Sequence, residues 1–208
     1  MSYPVTFEAD YLERRNRLTS FFRLILAIPL FIWGYFYGLA AFIAIVIAWF
    51  AIVITGRLPQ GLYDFIAGWT RFVTRATGYT LLLTDAYPPF GGGDNAPYPI
   101  QMRFAGPLDP YSRLKTFFRL ILAIPIVILR YAMGILLEIG ALAAWFVIVI
   151  TGKLPRGLFD LMVLANSYTA RSDAYIYLLT ETYPPFQDTM TRTAGTPGPP
   201  MPESPAPS

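Results

Sequence analysis

The second of two long apolar blocks in this chain of 208 residues contains two charged side chains deep within it, Arg130 and Glu138. Their spacing places both on roughly one face of a helix. The first block has Gly34 and Phe42 at the equivalent positions, so the charged pair is an addition to the second block. Ionisable side chains inside apolar segments predict a proton or ion path, a contact between subunits or between repeats, or a helix tip that reaches water.

Two further arginines, Arg23 and Arg119, lie close to the start of each apolar block. An arginine at this depth extends its guanidinium group to the lipid headgroups and anchors the segment. It also attracts phosphate, which predicts binding of anionic lipid. A third interpretation is an ion pair with Asp64 or Asp160, which lie on the helix that follows each block.

No residue pattern predicts an enzyme active site, a metal site or a cofactor site. The chain has no cysteine and no histidine, which excludes thiolate nucleophiles, imidazole bases and the commonest zinc ligands. The TG(R/K)LP turns lack the second glycine and the Lys-Ser/Thr pair of a phosphate-binding P-loop. Asp85 and Glu181 are equivalent in T(D/E)xYPPF; a paired acid–base site is one interpretation, and a cap or ion pair beside the rigid Tyr-Pro-Pro-Phe segment is the better one.

The composition is that of a membrane protein. Hydrophobic residues make up 55% of the chain and charged residues only 14%, which is too apolar for a soluble domain of this length. The net charge of +3 is small and no basic stripe carries aromatic residues, so nucleic acid is not a predicted partner. The polar N-terminus has none of the features of a signal peptide, and we expect insertion to rely on the internal apolar blocks.

The chain consists of two tandem copies of one unit. FFRLILAIP occurs at residues 21–29 and again, letter for letter, at residues 117–125. Two further pairs of segments match in the same order: WFAIVITGRLPQGLYD with WFVIVITGKLPRGLFD, and YTLLLTDAYPPF with YIYLLTETYPPF. The repeat therefore organises the chain up to Phe186.

The boundaries of the elements follow from this repeat. The first copy covers residues 1–90 and the second covers residues 98–186, joined by a Gly-rich linker at residues 91–97. Residues 187–208 form a tail rich in Pro, Ser, Thr and Gly that we predict to be disordered. After an opening strand, each copy is predicted to contain an apolar hairpin (residues 20–55 and 116–151), an amphipathic helix (60–77 and 156–172) and a second strand (79–86 and 175–182).

Each apolar block is predicted to form a transmembrane helical hairpin. About twenty apolar residues cross a bilayer as one helix, so the first block, from Phe21 to Ile54, is too long for one pass and barely enough for two. Pro29, Gly34 and Gly38 suit a bend, which predicts two short helices that meet at GYFYG. Such helices thin the bilayer locally or stop short of its far face.

Hairpins return the chain to the side from which it entered, and nearly every basic residue lies outside the predicted bends. The positive-inside rule then makes this side cytoplasmic, with both termini there. The predicted location is a bacterial cytoplasmic (inner) membrane, crossed several times. An even number of passes in each copy relates the copies by an approximate two-fold axis along the membrane normal.

The segments after the hairpins carry two further patterns. Apolar residues with helical spacing follow the first hairpin and recur after the second, which predicts amphipathic helices in the membrane interface. A period of about two near residues 3, 79, 100 and 175 predicts strands that pair into a small cytoplasmic sheet. The predicted fold class is therefore mainly α and integral to the membrane, with two tandem repeats and short strands.

The combination of FFRLILAIP, ITG(R/K)LPxGLxD and LLTxxYPPF resembles a family of small actinobacterial integral membrane proteins, the domain-of-unknown-function 4389 type. The resemblance covers essentially residues 1–186. It implies a bacterial inner-membrane protein with no assigned activity and no catalytic residues to transfer. The layout of two apolar blocks separated by a polar segment also looks like that of reticulon-type membrane-shaping proteins, although no motif is shared.

Three functions are consistent with these patterns. The first is a non-catalytic scaffold or accessory subunit of a membrane complex, which binds a protein partner or a second copy of the chain. The second is a membrane-shaping protein that acts through short hairpins and amphipathic helices. The third is a small transporter or channel component, which depends on the repeat symmetry and on Arg130 and Glu138.

Overall fold

A computed structural model describes residues 3–94 and 97–185, together with the backbone of residues 189–193. The elements of the first copy are β1 (Val5–Tyr11), α1 (Arg17–Phe21), α2 (Arg23–Leu26), α3 (Ile28–Thr55) and α4 (Gln60–Thr80). Those of the second are β2 (Ile100–Phe104), α5 (Arg113–Phe117), α6 (Arg119–Leu122), α7 (Ile124–Thr151) and α8 (Arg156–Ile176), followed by β3 (Thr189–Thr193). The order confirms a mainly helical fold with two copies of one unit and short strands.

Each apolar block forms one long helical arm. We call residues 17–55, which contain α1 to α3, the first arm, and residues 113–151, which contain α5 to α7, the second arm. α3 and α7 are each 28 residues long, or about 42 Å at 1.5 Å per residue. The break before α3 falls at Ala27, next to Pro29, whose ring would clash with the carbonyl group four residues earlier in a continuous helix.

The prediction of a hairpin within residues 20–55 and 116–151 is wrong, because α3 and α7 each run as one helix through the position of the predicted bend. Pro29 lies in the first turn of α3, where its missing N–H breaks no helical hydrogen bond. Gly38 serves a close approach between helices: a Cβ at this position would lie 2.9 Å from the Trp69 ring. Gly34 similarly faces Phe72, at 3.5 Å from an added Cβ. The glycines thus mark a helix contact and not a turn.

The chain reverses after each arm, not within it. Gly56 and Gly152 end α3 and α7 with φ of 77° and 75°, a left-handed conformation that glycine adopts most easily. α4 and α8 then run back along the preceding arm, as the contacts of Trp69 and Phe72 with the start of α3 show. The helices predicted at residues 60–77 and 156–172 are therefore present.

The polar face of α4 is covered, which differs from the interfacial helix that the sequence predicts. Thr70, Thr74 and Arg75 are buried, and the Thr74 hydroxyl lies 3.6 Å from the sulfur of Met102 in β2. In α8, Arg171, Ser172 and several neighbours are buried in the same way. α4 and α8 contact each other and separate the arms from the sheet.

The two arms run antiparallel, with the start of each arm packed against the end of the other. Phe21 stacks on Trp145 with ring centroids 5.9 Å apart, and Phe117 packs on Trp49 at 6.0 Å. Two backbone bonds repeat this exchange, from Arg15 N to the Gly152 oxygen and from Tyr111 N to the Gly56 oxygen, both at 2.9 Å. We call the junction of residues 13–17 with residues 151–156 the first end, and that of residues 109–115 with residues 55–60 the second end.

Three strands form a sheet with the order β2-β1-β3. β1 pairs antiparallel with β2, from Val5 opposite Phe104 to Ala9 opposite Ile100. β3 pairs parallel with β1, so residues 189–193 of the tail predicted as disordered form a strand, while the rest of that tail lies outside the described residues. The strands predicted near residues 3 and 100 and their pairing are thereby confirmed.

The strands predicted at residues 79–86 and 175–182 are not formed, because the helices continue and then end in a Schellman turn. Leu83 N bonds the Gly78 oxygen at 2.8 Å and Leu82 N bonds the Tyr79 oxygen at 3.1 Å. Leu82 has a φ of 65°, where glycine is usual, and Leu178 repeats this at 68°. Both leucine side chains are buried, which holds the turn despite its backbone strain.

Candidate functional site

The exposed apolar surface of the two arms is the most prominent candidate functional feature of the fold. α3 and α7 are long and apolar enough to cross a membrane, and only 22% and 28% of their most apolar stretches are buried. Large apolar side chains are exposed along both arms, among them Leu24, Phe42, Leu120 and Ile150. A contiguous apolar surface of this length marks a site of interaction with membrane or protein.

Exposed basic side chains lie at both ends of this surface. Arg14, Arg17, Lys153 and Arg156 belong to the first end, and Arg57, Arg113 and Lys115 belong to the second end. Some of them pair with acids, as in Lys153 with Glu13 at 2.9 Å and Arg57 with Asp109 at 3.3 Å. The two ends therefore have similar charge patterns.

Arg23 is buried where the first arm meets the turn after α4. Its guanidinium group pairs with Asp85 and lies 4.3 Å above the centre of the Tyr79 ring. Asp85 also accepts a hydrogen bond of 2.9 Å from the backbone N–H of Asn16, which caps α1. This cluster, which we call the first latch, fastens the end of the T(D/E)xYPPF segment to the start of the arm.

The second copy builds an equivalent second latch with different bonds. Arg119 lies 4.3 Å above the centre of the Tyr175 ring and donates to the Thr180 carbonyl oxygen at 3.0 Å. Glu181 accepts a hydrogen bond of 2.8 Å from the Ser112 N–H. The cap or ion pair that the sequence favoured for Asp85 and Glu181 agrees with these contacts, although no strand is present beside them.

A second arginine distinguishes the first latch from the second. Arg15 is 7% exposed and donates to the Leu83 carbonyl oxygen at 2.7 Å. Burial lowers the pKa of Arg15, Asp85 counteracts this effect, and the neighbouring charge of Arg23 adds to it. In the second copy Tyr111 occupies the equivalent position. The first latch thus holds two buried arginines around one carboxylate.

The ion pairs of Arg23 with Asp64 and of Arg119 with Asp160 are not formed. Asp64 instead accepts a hydrogen bond of 2.8 Å from Gln60, and Asp160 pairs with Arg156 at 3.1 Å. Both acids lie at the opposite end of α4 or α8 from the latch. Buried Arg23 and Arg119, each 2% exposed, also do not extend to a surface where a headgroup would lie.

Arg130 and Glu138 lie apart, and neither bonds the other. Arg130 forms two hydrogen bonds with the carboxylate of Asp173, at 2.6 and 3.2 Å. Asp173 is 5% exposed and belongs to α8 of the same copy. The sequence did not reveal this partner, because Asp173 lies far from Arg130 along the chain. Glu138 is exposed on the second arm beside residues of the first copy, including Leu30 and Gly34.

Within the described part of the chain, no group of three or more Asp and Glu side chains could hold a metal ion. The arginines contact carboxylates, aromatic rings and backbone carbonyl groups, which are structural partners. The arrangement therefore presents a long apolar surface with charged ends. This surface is held against the polar layer that α4, α8 and the sheet form.

Two segments of the chain, residues 17–91 and residues 113–187, match one family model, whose description is Domain of unknown function (DUF4389). Neither a curated protein nor a solved structure matches the chain. Each matched segment contains one arm, the returning helix and the T(D/E)xYPPF segment, so the family unit corresponds to the repeat without its opening strand. Because the two matches cover more than half of its length, this chain belongs to the DUF4389 family and carries two tandem copies of its domain.

Proposed function

We propose that this chain is a membrane protein whose two arms lie in the plane of one leaflet, and that it acts on the membrane by widening that leaflet. The observation that carries the proposal is the antiparallel packing of two predominantly apolar arms against a layer of polar elements. The proposal keeps the membrane-shaping function and replaces the predicted hairpins with arms.

The polar elements argue against arms that cross the bilayer. α4 runs beside α3, and β2 packs on α4, with a hydrogen bond of 3.1 Å from Arg71 to the Met102 carbonyl oxygen. If the arms crossed the hydrocarbon core, this sheet and its edge strand β2, which pairs with β1 alone among the described strands, would lie at the same depth. Open sheet edges do not occur in lipid, because their backbone groups would have no hydrogen-bond partners.

The charges at the two ends support the same orientation. The helix α3 alone, at about 42 Å, exceeds the hydrocarbon thickness of about 30 Å, so crossing arms would place the two ends on opposite sides. The positive-inside rule would then predict a basic excess on one side only. Arms in the plane place both ends at the headgroups of one leaflet, where exposed arginines and lysines attract anionic lipid.

The two-fold symmetry of the repeat is also consistent with arms in the plane. An axis that relates two antiparallel arms is perpendicular to both of them. For arms in the leaflet, this axis lies along the membrane normal, so that both copies present the same face to the lipid. The cytoplasmic side, the inner membrane and the bacterial source remain predictions from the sequence and its resemblance.

Vesicle remodelling tests the function. The purified chain, reconstituted at increasing density into vesicles that contain anionic lipid, is expected to convert them into tubules or small vesicles visible by electron microscopy. The matched control carries Ile43→Lys and Leu142→Lys, at positions that are 52% and 61% exposed on the two arms. Each lysine costs about 2.5–3.5 kcal/mol in a hydrocarbon environment, so the control should bind and remodel vesicles less. Unchanged vesicles at high density of inserted wild-type protein would exclude the shaping function.

A scaffold role is the second candidate, favoured by the position of β2 at an edge of the sheet. β2 is an edge strand of the sheet within the described residues, and an edge strand can pair with an extended segment of a partner. The proposal would require that affinity purification in mild detergent retrieves a stoichiometric partner, and that Met102→Pro abolishes its retention. Recovery of the chain alone under these conditions would remove this candidate.

A further inference from the structure

A groove between the first arm and α4 has the form of a ligand site. Its volume is about 470 Å³, and its apolar wall includes Leu30, Gly34, Trp69 and Phe72. Glu138 from the second arm lies at its margin, so the groove is built by both copies. Small-ligand sites have volumes of about 300–1,000 Å³ and combine an apolar wall with few polar groups, as this groove does.

The equivalent position in the second copy holds an ion pair. Arg130 stands where the first copy has Gly34, and Asp173 stands where it has Thr77. These two side chains form the bidentate ion pair with distances of 2.6 and 3.2 Å. In the first copy neither position carries a charge, and the groove stays open. The two copies therefore differ at this groove.

The second arm carries the charge of Glu138 at a position where the first arm has the apolar residue Phe42. No cation among the described residues pairs with Glu138, and Arg130 is already bound by Asp173. A carboxylate at this place on an apolar arm is unfavourable when it lies among lipid chains. A cationic group bound at the margin of the groove would offset this cost.

We propose that this groove binds a single-chain amphiphile that carries a primary amine. Its aliphatic chain lies against Leu30, Trp69 and Phe72, and its ammonium group pairs with Glu138. The charge of Glu138 selects an amine over an alcohol or a carboxylate of equal chain length. The volume of about 470 Å³ is near the lower limit for ligand sites and suits one chain better than two.

The test compares dodecylamine, dodecanol and dodecanoate as probes of the purified full chain in mild detergent. Native mass spectrometry reports how many probe molecules each chain retains, and titration gives the apparent affinity. We expect one dodecylamine per chain, bound at least tenfold more tightly than dodecanol, with dodecanoate weakest. Because the measurement is made in detergent, it does not depend on whether the arms lie in one leaflet.

Three variants locate the site. Glu138→Gln should abolish the preference for the amine while dodecanol still binds. Gly34→Leu should abolish binding of both, since a Cβ at Gly34 meets only Phe72 at an ordinary 3.5 Å and the added side chain extends into the groove. Ala40→Leu adds the same side chain to an exposed position on the same helix and should bind like the wild type.

Two results would overturn the proposal. One is a folded Glu138→Gln variant that still prefers dodecylamine as strongly as the wild type does. The other is a folded Gly34→Leu variant that binds dodecylamine and dodecanol as the wild type does. Should either variant fail to fold, as judged by circular dichroism, the double variant Gly34→Arg and Thr77→Asp copies the ion pair of the second copy into the groove and must also abolish binding. Equal binding of all three probes to the wild type would overturn the proposal as well.

Discussion

Replacing Asp85 with asparagine removes the only carboxylate of the first latch while it keeps the size of the side chain. Arg23 and Arg15, which are 2% and 7% exposed, then face each other without an opposing charge. Loss of one partner from a buried ion pair costs about 3–5 kcal/mol, because the remaining charge stays desolvated. We therefore expect Asp85→Asn to lower the free energy of unfolding by about this amount.

Glu181→Gln provides the matched control in the second latch. Arg119 keeps its hydrogen bond of 3.0 Å to the Thr180 carbonyl oxygen, and Tyr111 stands where the first copy has Arg15. The losses are the charge on the acceptor of the Ser112 N–H, worth about 1 kcal/mol, and the attraction of Glu181 for Arg119, with which it forms no salt bridge. The two equivalent substitutions should thus differ by about 2–4 kcal/mol.

The assay is reversible unfolding in a defined detergent, followed by circular dichroism at one protein concentration. A double variant completes the comparison: Arg23→Met together with Asp85→Asn removes the unpaired charge and should recover at least half of the loss. Equal destabilisation by Asp85→Asn and Glu181→Gln, or no recovery in the double variant, would refute the assignment of Asp85 as the counter-charge of two arginines.

Two further predictions concern the loop after the first latch and the ion pair of the second copy. Gly92→Ala should destabilise the protein by about 1–3 kcal/mol in the same unfolding assay, because its Cβ would lie 2.1 Å from the Gly68 backbone. Gly91→Ala is the control and should be neutral, since its Cβ would have nothing within 4 Å. An equal effect of both substitutions would refute the contact. Arg130→Met should make stability fall as the pH rises above about 4, the ordinary pKa of an aspartate, because burial raises the pKa of Asp173 and the folded state then retains a proton that the unfolded state has lost. A melting temperature in Arg130→Met that is constant over this pH range would contradict the unpaired burial of Asp173.

The repeat, the apolar arms and the returning helices could be predicted because each has a strong local signal. Nine identical residues at positions 21–29 and 117–125 define the copies without any structure. The helical spacing after Pro59 and Pro155 similarly defines α4 and α8. The β1–β2 pairing could be predicted because short alternating segments open both copies.

The absence of the bend and of the strands at residues 79–86 and 175–182 could not be predicted, because the residues of these segments are compatible with two local structures. Gly38 suits a turn, but here it admits the Trp69 ring to the helix surface. The alternation around Leu82 imitates a strand, yet it arises from a helix end with a leucine in the left-handed conformation. Only the tertiary packing of both segments decides between these outcomes.

The candidate site was partly predictable from the sequence. Arg23, Arg119, Arg130 and Glu138 could be identified as unusual, because charges within apolar segments are rare. Their partners could not, since Asp85 and Asp173 lie far away in the chain and are brought near only by the return of α4 and α8. The groove at Glu138 is a property of both copies together, which no single segment reveals.

The orientation of the arms can be measured most directly by labelling their two ends. The chain has no cysteine, so single cysteines at the equivalent positions Arg57 and Lys153, which are 75% and 58% exposed, can be probed with a membrane-impermeant maleimide in intact and in permeabilised cells. Arms in the plane of one leaflet predict the same result at both positions, with labelling of both only after permeabilisation if the leaflet is cytoplasmic. Labelling of one position in intact cells and of the other only after permeabilisation would show that the arms cross the membrane.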